Sequence, residues 1–176
     1  MDWIATNLSA RSFIVKFLLS IGANVNIADH SGRTPLCWAV SHALLTWKQE
    51  EVRLATTKTL LSAWGAGLDE ADNNGRTPLS WAISALGYSS EGLIVTFLLS
   101  KRAQVDRPDN NGRTPLRWAA TKNNPRAIET LLKYGASLTS KDKNGKTPYD
   151  WAVELERLEC FHKEGEEIQA LLHVPE

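Results

Sequence analysis

One eleven-residue sentence is written four times in this chain with few changes: DHSGRTPLCWA from Asp29, DNNGRTPLSWA from Asp72, DNNGRTPLRWA from Asp109 and DKNGKTPYDWA from Asp142. Its glycines, Gly32, Gly75, Gly112 and Gly145, are spaced by 43, 37 and 33 residues. A leucine pair follows each copy (Leu60-Leu61, Leu98-Leu99, Leu131-Leu132 and Leu171-Leu172), and Leu18-Leu19 precedes the first. From each of the first four pairs to the next glycine the distance holds at 13 or 14 residues. A period of this size constrains the fold more than any composition does. Each unit is too small to bury an apolar face alone, so neighbours must stack into one array.

Local chemistry divides the unit. Asp-x-x-Gly is a turn, in which the Asp accepts backbone N–H groups ahead of it and Gly takes the positive φ. Thr-Pro starts a helix, with Thr as N-cap and Pro at the first helical position, where its missing N–H costs nothing. In the third copy the helix runs through LRWAATK and breaks at Asn123-Asn124-Pro125, where Asn124 caps a second one. That helix, RAIETLLKYG, places Ala127, Ile128, Leu131 and Leu132 on one face and closes on Gly135. The unit reads as turn, short helix, short helix, extended loop. At the end of the third helix pair Arg102 stands where Gly22, Gly65 and Gly135 stand elsewhere.

G-[RK]-T-P-L-x-W-A followed by x-L-L-x-x-G-A, at a 33-residue base period, resembles the ankyrin repeat, and FIVKFLLSIGANVNIAD and LIVTFLLS are similar to its second helix. The resemblance implies an all-α solenoid of about five stacked antiparallel helix pairs joined by β-turn fingers. The expected pairs are approximately 1–28, 29–71, 72–108, 109–141 and 142–174, in a single domain spanning 1–176. The chain departs from the family at the His that follows Thr-Pro-Leu and ties neighbouring turns together. That slot holds Cys37, Ser80, Arg117 and Asp150, of which only the first two could substitute, and weakly. The next slot is Trp in every copy (Trp38, Trp81, Trp118, Trp151), and these rings are expected to stack along the array as core bulk.

Insertions distinguish the units. Measured from Thr to the leucine pair, the first copy gains nine residues over the third, the second four and the fourth seven. The first insertion reads as two helices each longer by about a turn, turning near Lys48 to Glu51. Gly87, Ser89, Ser90 and Gly92 mark a longer turn in the second, and the fourth suggests a lengthened helix ending near Gly165. These turns, with Trp47 and Tyr88 as exposed aromatics, form either a second contact surface or mere mutual packing.

Composition narrows the function classes. Of 176 residues, 43% are hydrophobic and 23% charged, which is ordinary for a globular chain. Twenty basic and twenty acidic residues cancel, so bulk attraction to nucleic acid or an anionic membrane is absent. No apolar run approaches the roughly 20 residues of a membrane span, and the start MDWIATNLSA shows no leader pattern. Two distant cysteines, Cys37 and Cys160, do not make a disulfide framework and point to an intracellular setting, cytoplasmic or nuclear. The four histidines are scattered and offer no metal-ligand spacing. Neither a phosphate-binding glycine loop nor a hydrolase motif occurs. The expectation is a non-enzymatic chain without cofactor or metal.

The leading function is therefore a protein-binding module. From the family resemblance, partner contacts fall on the finger tips (His30, Ser31, Arg33; Asn73, Asn74, Arg76; Asn110, Asn111, Arg113; Lys143, Asn144, Lys146). They also fall late in the first helices, at Ser41 and His42, Ser84 and Ala85, Thr121 and Lys122, Glu154 and Leu155. Arg33, Arg76, Arg113 and Lys146 recur at one slot and form a column spaced roughly 10 Å apart, thickened by Arg117, Lys122 and Lys143. A basic column on a neutral chain suits an acidic protein or peptide. The alternatives are a small-ligand or enzymatic site in a pocket walled by Trp38, Trp81 or Trp118, and nucleic-acid binding through the column.

Overall fold

Capping chemistry at Thr-Pro and Asn-Pro sets where the helices begin. The computed structural model describes residues 13–41, 47–86, 92–158 and 162–173. Thr77 and Thr114 accept the backbone N–H groups of Ser80 and Arg117, Asn124 accepts that of Ala127, and in each case Pro follows at the first helical position. The helices are α1 (13–20), α2 (Pro35–Ser41), α3 (Trp47–Ser62), α4 (Pro78–Ser84), α5 (Leu93–Ser100), α6 (Pro115–Thr121), α7 (Pro125–Lys133), α8 (Pro148–Leu158) and α9 (His162–Leu172). No strand occurs among the described residues.

The helices stack in two layers. First helices pack in order, α2 on α4, α4 on α6 and α6 on α8; second helices pack α3 on α5 and α7 on α9. Within each pair α2 meets α3, α4 meets α5, α6 meets α7 and α8 meets α9. One apolar core runs through the stack, with Val40, Leu79, Ile83, Leu98, Leu116, Ile128, Leu131, Ile168 and Leu172 almost wholly covered. Each such side chain is worth about 1.5–3 kcal/mol on burial, so the core and not helix propensity holds elements of seven to sixteen residues.

The second helices α1, α5 and α7 end in left-handed caps. At α5 the Ala103 N–H reaches Leu98 O at 3.1 Å and the Arg102 N–H reaches Leu99 O at 2.9 Å; Ala136 and Gly135 repeat the pattern on α7. Arg102 therefore takes the glycine position itself, at φ 70°. Arg102→Gly is expected to raise stability by about 1 kcal/mol in urea unfolding. A neutral or destabilising result would mean that the arginine side chain compensates for its backbone.

The insertions fall differently from the sequence expectation. Lys48 to Glu51 are helical, inside α3, so the first connection does not turn there; residues 42–46 lie outside the described residues. The added length goes into α3, which at 16 residues is twice the 8 of α5. Two of its residues explain why the longer helix holds. Arg53 donates from Nε to Ala39 O at 3.1 Å and from a terminal nitrogen to Val40 O, closing the end of α2. Glu50, buried, accepts the Leu93 N–H at 3.0 Å and caps α5, whose own N-cap is Gly92 and has no side chain to do so. In the fourth unit α9 begins at His162, and Gly165 lies within it instead of ending a helix. Residues 87–91, including Tyr88, and the side chain of Trp47 are outside the described residues.

A ladder that the sequence did not advertise ties the loops together. Asn26 accepts the Gly67 N–H at 2.9 Å, Asp69 that of Gln104 at 3.0 Å and Asp106 that of Ser137 at 3.0 Å. The signal was a polar residue directly after the inward apolar one (Val25-Asn26, Leu68-Asp69, Val105-Asp106).

Candidate functional site

The finger turns are built by their aspartates. One oxygen of Asp29 accepts the N–H groups of Ser31 and Arg33 at 2.8 and 3.0 Å, and Asp72, Asp109 and Asp142 do the same two and four residues on. The other oxygen accepts the indole N–H nine residues later. The distances are 2.9 Å for Trp38–Asp29, 3.0 Å for Trp81–Asp72 and 2.8 Å for Trp151–Asp142. Trp118 is the exception, and its buried Nε1 has no acceptor. The Arg33 backbone N–H holds the Asp29 carboxyl below its ordinary value, with the Trp38 indole adding to it against desolvation. At Asp142 burial pushes upward, but the Trp151 indole and the Lys146 and Asn144 N–H groups outweigh it.

Neighbouring fingers are paired along the array. The Asn73 N–H donates to Ser31 O at 3.0 Å, Asn110 to Asn74 O at 2.8 Å and Lys143 to Asn111 O at 3.0 Å. The side chains of Asn73 and Asn110 add bonds to His30 O and Asn73 O. Of the tip residues expected to bind, Asn73 and Asn110 are thus engaged with the preceding finger. His30, Ser31, Asn74, Asn111 and Lys143 stand exposed.

The basic column does not stand apart from the tryptophans. It is interleaved with them. Arg33 lies 4.9 Å from the Trp38 ring centre and 3.9 Å from that of Trp81; Arg76 lies 3.7 Å from Trp81 and 4.4 Å from Trp118. Two guanidinium carbons within 4 Å of one ring centre would overlap on a single face, so Trp81 is sandwiched between Arg33 and Arg76. Arg113 and Arg117 lie 5.3 and 5.2 Å from Trp118, Arg117 4.3 Å from Trp151, and Lys146 4.5 Å from Trp151. The expectation that the tryptophans are core bulk holds only in part: Trp81 and Trp118 pack against the core, but the rings alternate with cations instead of stacking on one another. Trp38 is 43% exposed, and Trp81, Trp118 and Trp151 are half-buried. The indoles present their negative faces to cations and their N–H edges to carboxylates. Each copy carried the signal, a basic residue five before a tryptophan, but spacing alone does not show that a side chain reaches the ring of the next repeat.

The variable slot feeds four different devices. The Cys37 thiol, buried, faces Glu70 O at 3.8 Å, in the loop that leads to the second finger. Ser80 stays local, its hydroxyl bonded by Thr77. Arg117 joins the cation–indole ladder, and burial lowers its pKa from the ordinary guanidinium value without removing its charge. Asp150 accepts both the N–H and the hydroxyl of Thr147 at 2.7 Å, closing a reciprocal cap at the start of α8.

Of the late first-helix positions, Ser84 meets the ladder, its hydroxyl accepting from Arg76 at 2.6 Å. Lys122 stands exposed at the C-cap of α6, the far end of that helix from Arg117. His42 and the side chain of Leu155 lie outside the described residues. Among the described residues, grooves of about 580 and 530 Å3 open at the ends of second helices, one beside Trp64 and one beside Arg102 and Tyr134; Trp38, Trp81 and Trp118 line neither of these. Among the described residues no three His, Cys, Asp or Glu side chains gather where they could hold a metal ion. No helix of the described residues is long and apolar enough to cross a membrane.

Stacked helix pairs, paired fingers and capped Thr-Pro starts agree with a comparison against protein families. The model described as ankyrin repeats (3 copies) matches residues 3–109 and 89–163. The chain belongs to the ankyrin repeat family. No curated protein matches it. Ankyrin repeats are generally protein–protein interaction modules, and in this ankyrin array the slot before the tryptophan carries the four devices described above.

Proposed function

We propose that this ankyrin array binds a protein partner on its finger and first-helix face, through an acidic segment of that partner, and that it does so inside the cell without catalysing a reaction. The observation that carries this reading is the state of the ladder cations. Among the described residues Lys146 has a carboxylate partner, Glu154, while Arg33, Arg76, Arg113 and Arg117 have none within ion-pair distance. A zero-charge chain that gathers unpaired guanidinium groups on one face favours an acidic surface, chiefly through association rate and register. The nucleic-acid alternative lacks support because net charge is zero and the indole faces are already occupied by cations.

The test leaves the ladder untouched. Asn74 and Asn111 are exposed tip residues whose side chains make no bond in the finger pairing. Asn74→Glu/Asn111→Glu is expected to weaken partner binding about tenfold relative to Asn74→Lys/Asn111→Lys, with the gap closing at high salt and thermal unfolding alike in both. Equal binding by the two variants would remove the acidic-partner assignment.

A further inference from the structure

The ladder has a register, and one step breaks it. Arg33 reaches forward to the tryptophan of the next repeat, Trp81, and Arg76 reaches forward to Trp118. By the same register Arg113 belongs over Trp151. That place is taken by Arg117, 4.3 Å from the Trp151 ring centre, and Arg113 is left 5.3 Å from its own Trp118. No other repeat has an arginine in the variable slot, so this step alone holds two guanidinium groups.

The consequences of crowding are visible around it. Arg113 makes no side-chain hydrogen bond or ion pair among the described residues, only its backbone bond to Asp109. Arg117 is 8% exposed, and its Nε has no acceptor, which is true also of Arg76 Nε in an unbroken step. The Trp118 N–H, bonded to the finger aspartate in the other three copies, is also without one. Buried donors of this kind cost free energy until an acceptor arrives. Arg113 is, after desolvation, the largest influence on Arg117, and it is repulsive.

We infer that Arg113 and Arg117 beside Trp118 form the anchor point for a single carboxylate of the bound partner, a glutamate or aspartate side chain of an acidic segment. This rests on the acidic-partner reading above and says where that partner is held. A carboxylate fits better than a phosphoryl group because each copy sets one finger aspartate against one basic residue and the third adds Arg117 alone, a single extra charge, whereas a phosphoryl brings about −1.5 to −2. The chain supplies its own precedent at the next step, where the ladder cation Lys146 is met by the Glu154 carboxylate. A planar carboxylate accepting from a guanidinium also gives the stronger, oriented kind of pairing.

The experiment titrates the whole chain with a glutamate-rich peptide, its glutamine counterpart and a phosphoserine counterpart, following the indole N–H signals and the dissociation constant. Wild type is expected to bind the glutamate peptide best, with the Trp118 N–H signal moving. Arg113→Gln should weaken it about tenfold or more. Arg117→Ser, which restores the residue of the second copy, should weaken it similarly by letting Arg113 return over Trp151. Lys133→Gln, exposed at the end of α7 in the second-helix layer, should leave it unchanged. If the glutamate peptide binds but neither arginine substitution matters, the anchor is wrong and the acidic-partner reading stands. If no acidic peptide binds wild type, both fall. Tighter Arg113-dependent binding of the phosphoserine peptide would overturn the carboxylate assignment.

Discussion

Trp81→Ala is expected to cost about 4 kcal/mol of unfolding free energy, a large part of the roughly 5–15 kcal/mol that a domain commands. Three losses combine at this position. The half-buried ring leaves the packed face of the core, with which it is in contact. Two guanidinium groups, at 3.9 and 3.7 Å, lose the ring between them. The Asp72 oxygen that accepted the indole N–H at 3.0 Å is left without that donor. Companion variants separate the contributions. Trp81→Phe keeps a face for the cations and loses the N–H, so it should fall between wild type and Trp81→Leu, which keeps bulk alone. Urea unfolding of these variants, with a double-mutant cycle between Arg33 and Trp81, measures the coupling. Equal stability of the Phe and Leu variants, together with zero coupling, would return the tryptophans to the role of simple filling.

Gly75→Ala is expected to destabilise by about 3 kcal/mol, against about 1 kcal/mol for Gly145→Ala. Both glycines have positive φ, 76° and 73°, and both substitutions carry that strain. They differ in what lies nearby. A Cβ on Gly75 would sit 2.5 Å from Asn110 Oδ1 and 2.7 Å from the Asn110 backbone nitrogen, whereas one on Gly145 meets nothing within 4 Å. Relieving the first clash must push Asn110 away from Asn74 O and Asn73 O, opening the pairing of the second and third fingers. Similar losses at the two sites would mean that conformational strain alone keeps these glycines.

Much of this fold was legible because its determinants are local. Thr-Pro, Asn-Pro and Asp-x-x-Gly act within four residues, so reading them in order placed the helix starts and turns, and even the left-handed Arg102. The insertions were read less well. Absence of Gly and Pro between Pro35 and Gly65 left no local mark for the connection, and what stabilises α3 are long-range partners, Ala39 and Val40 for Arg53 and Leu93 for Glu50. Gly165 reads as a stop by propensity, yet the helix passes through it because Ile168 and Leu172 beyond it are anchored in the core.

The sequence by itself determined that there is an array, how its units start and turn, and which residue types recur on the finger face. It listed a basic column and a tryptophan column as two separate features. Only the tertiary structure decided that they are one ladder, because an arginine reaches the ring of the following repeat, and the distance between repeats is not written in either one. It also decided the fate of the variable letter. Arg117 in that slot takes the place over Trp151 that the ladder's register would give to Arg113, and Arg113 is left beside its own Trp118.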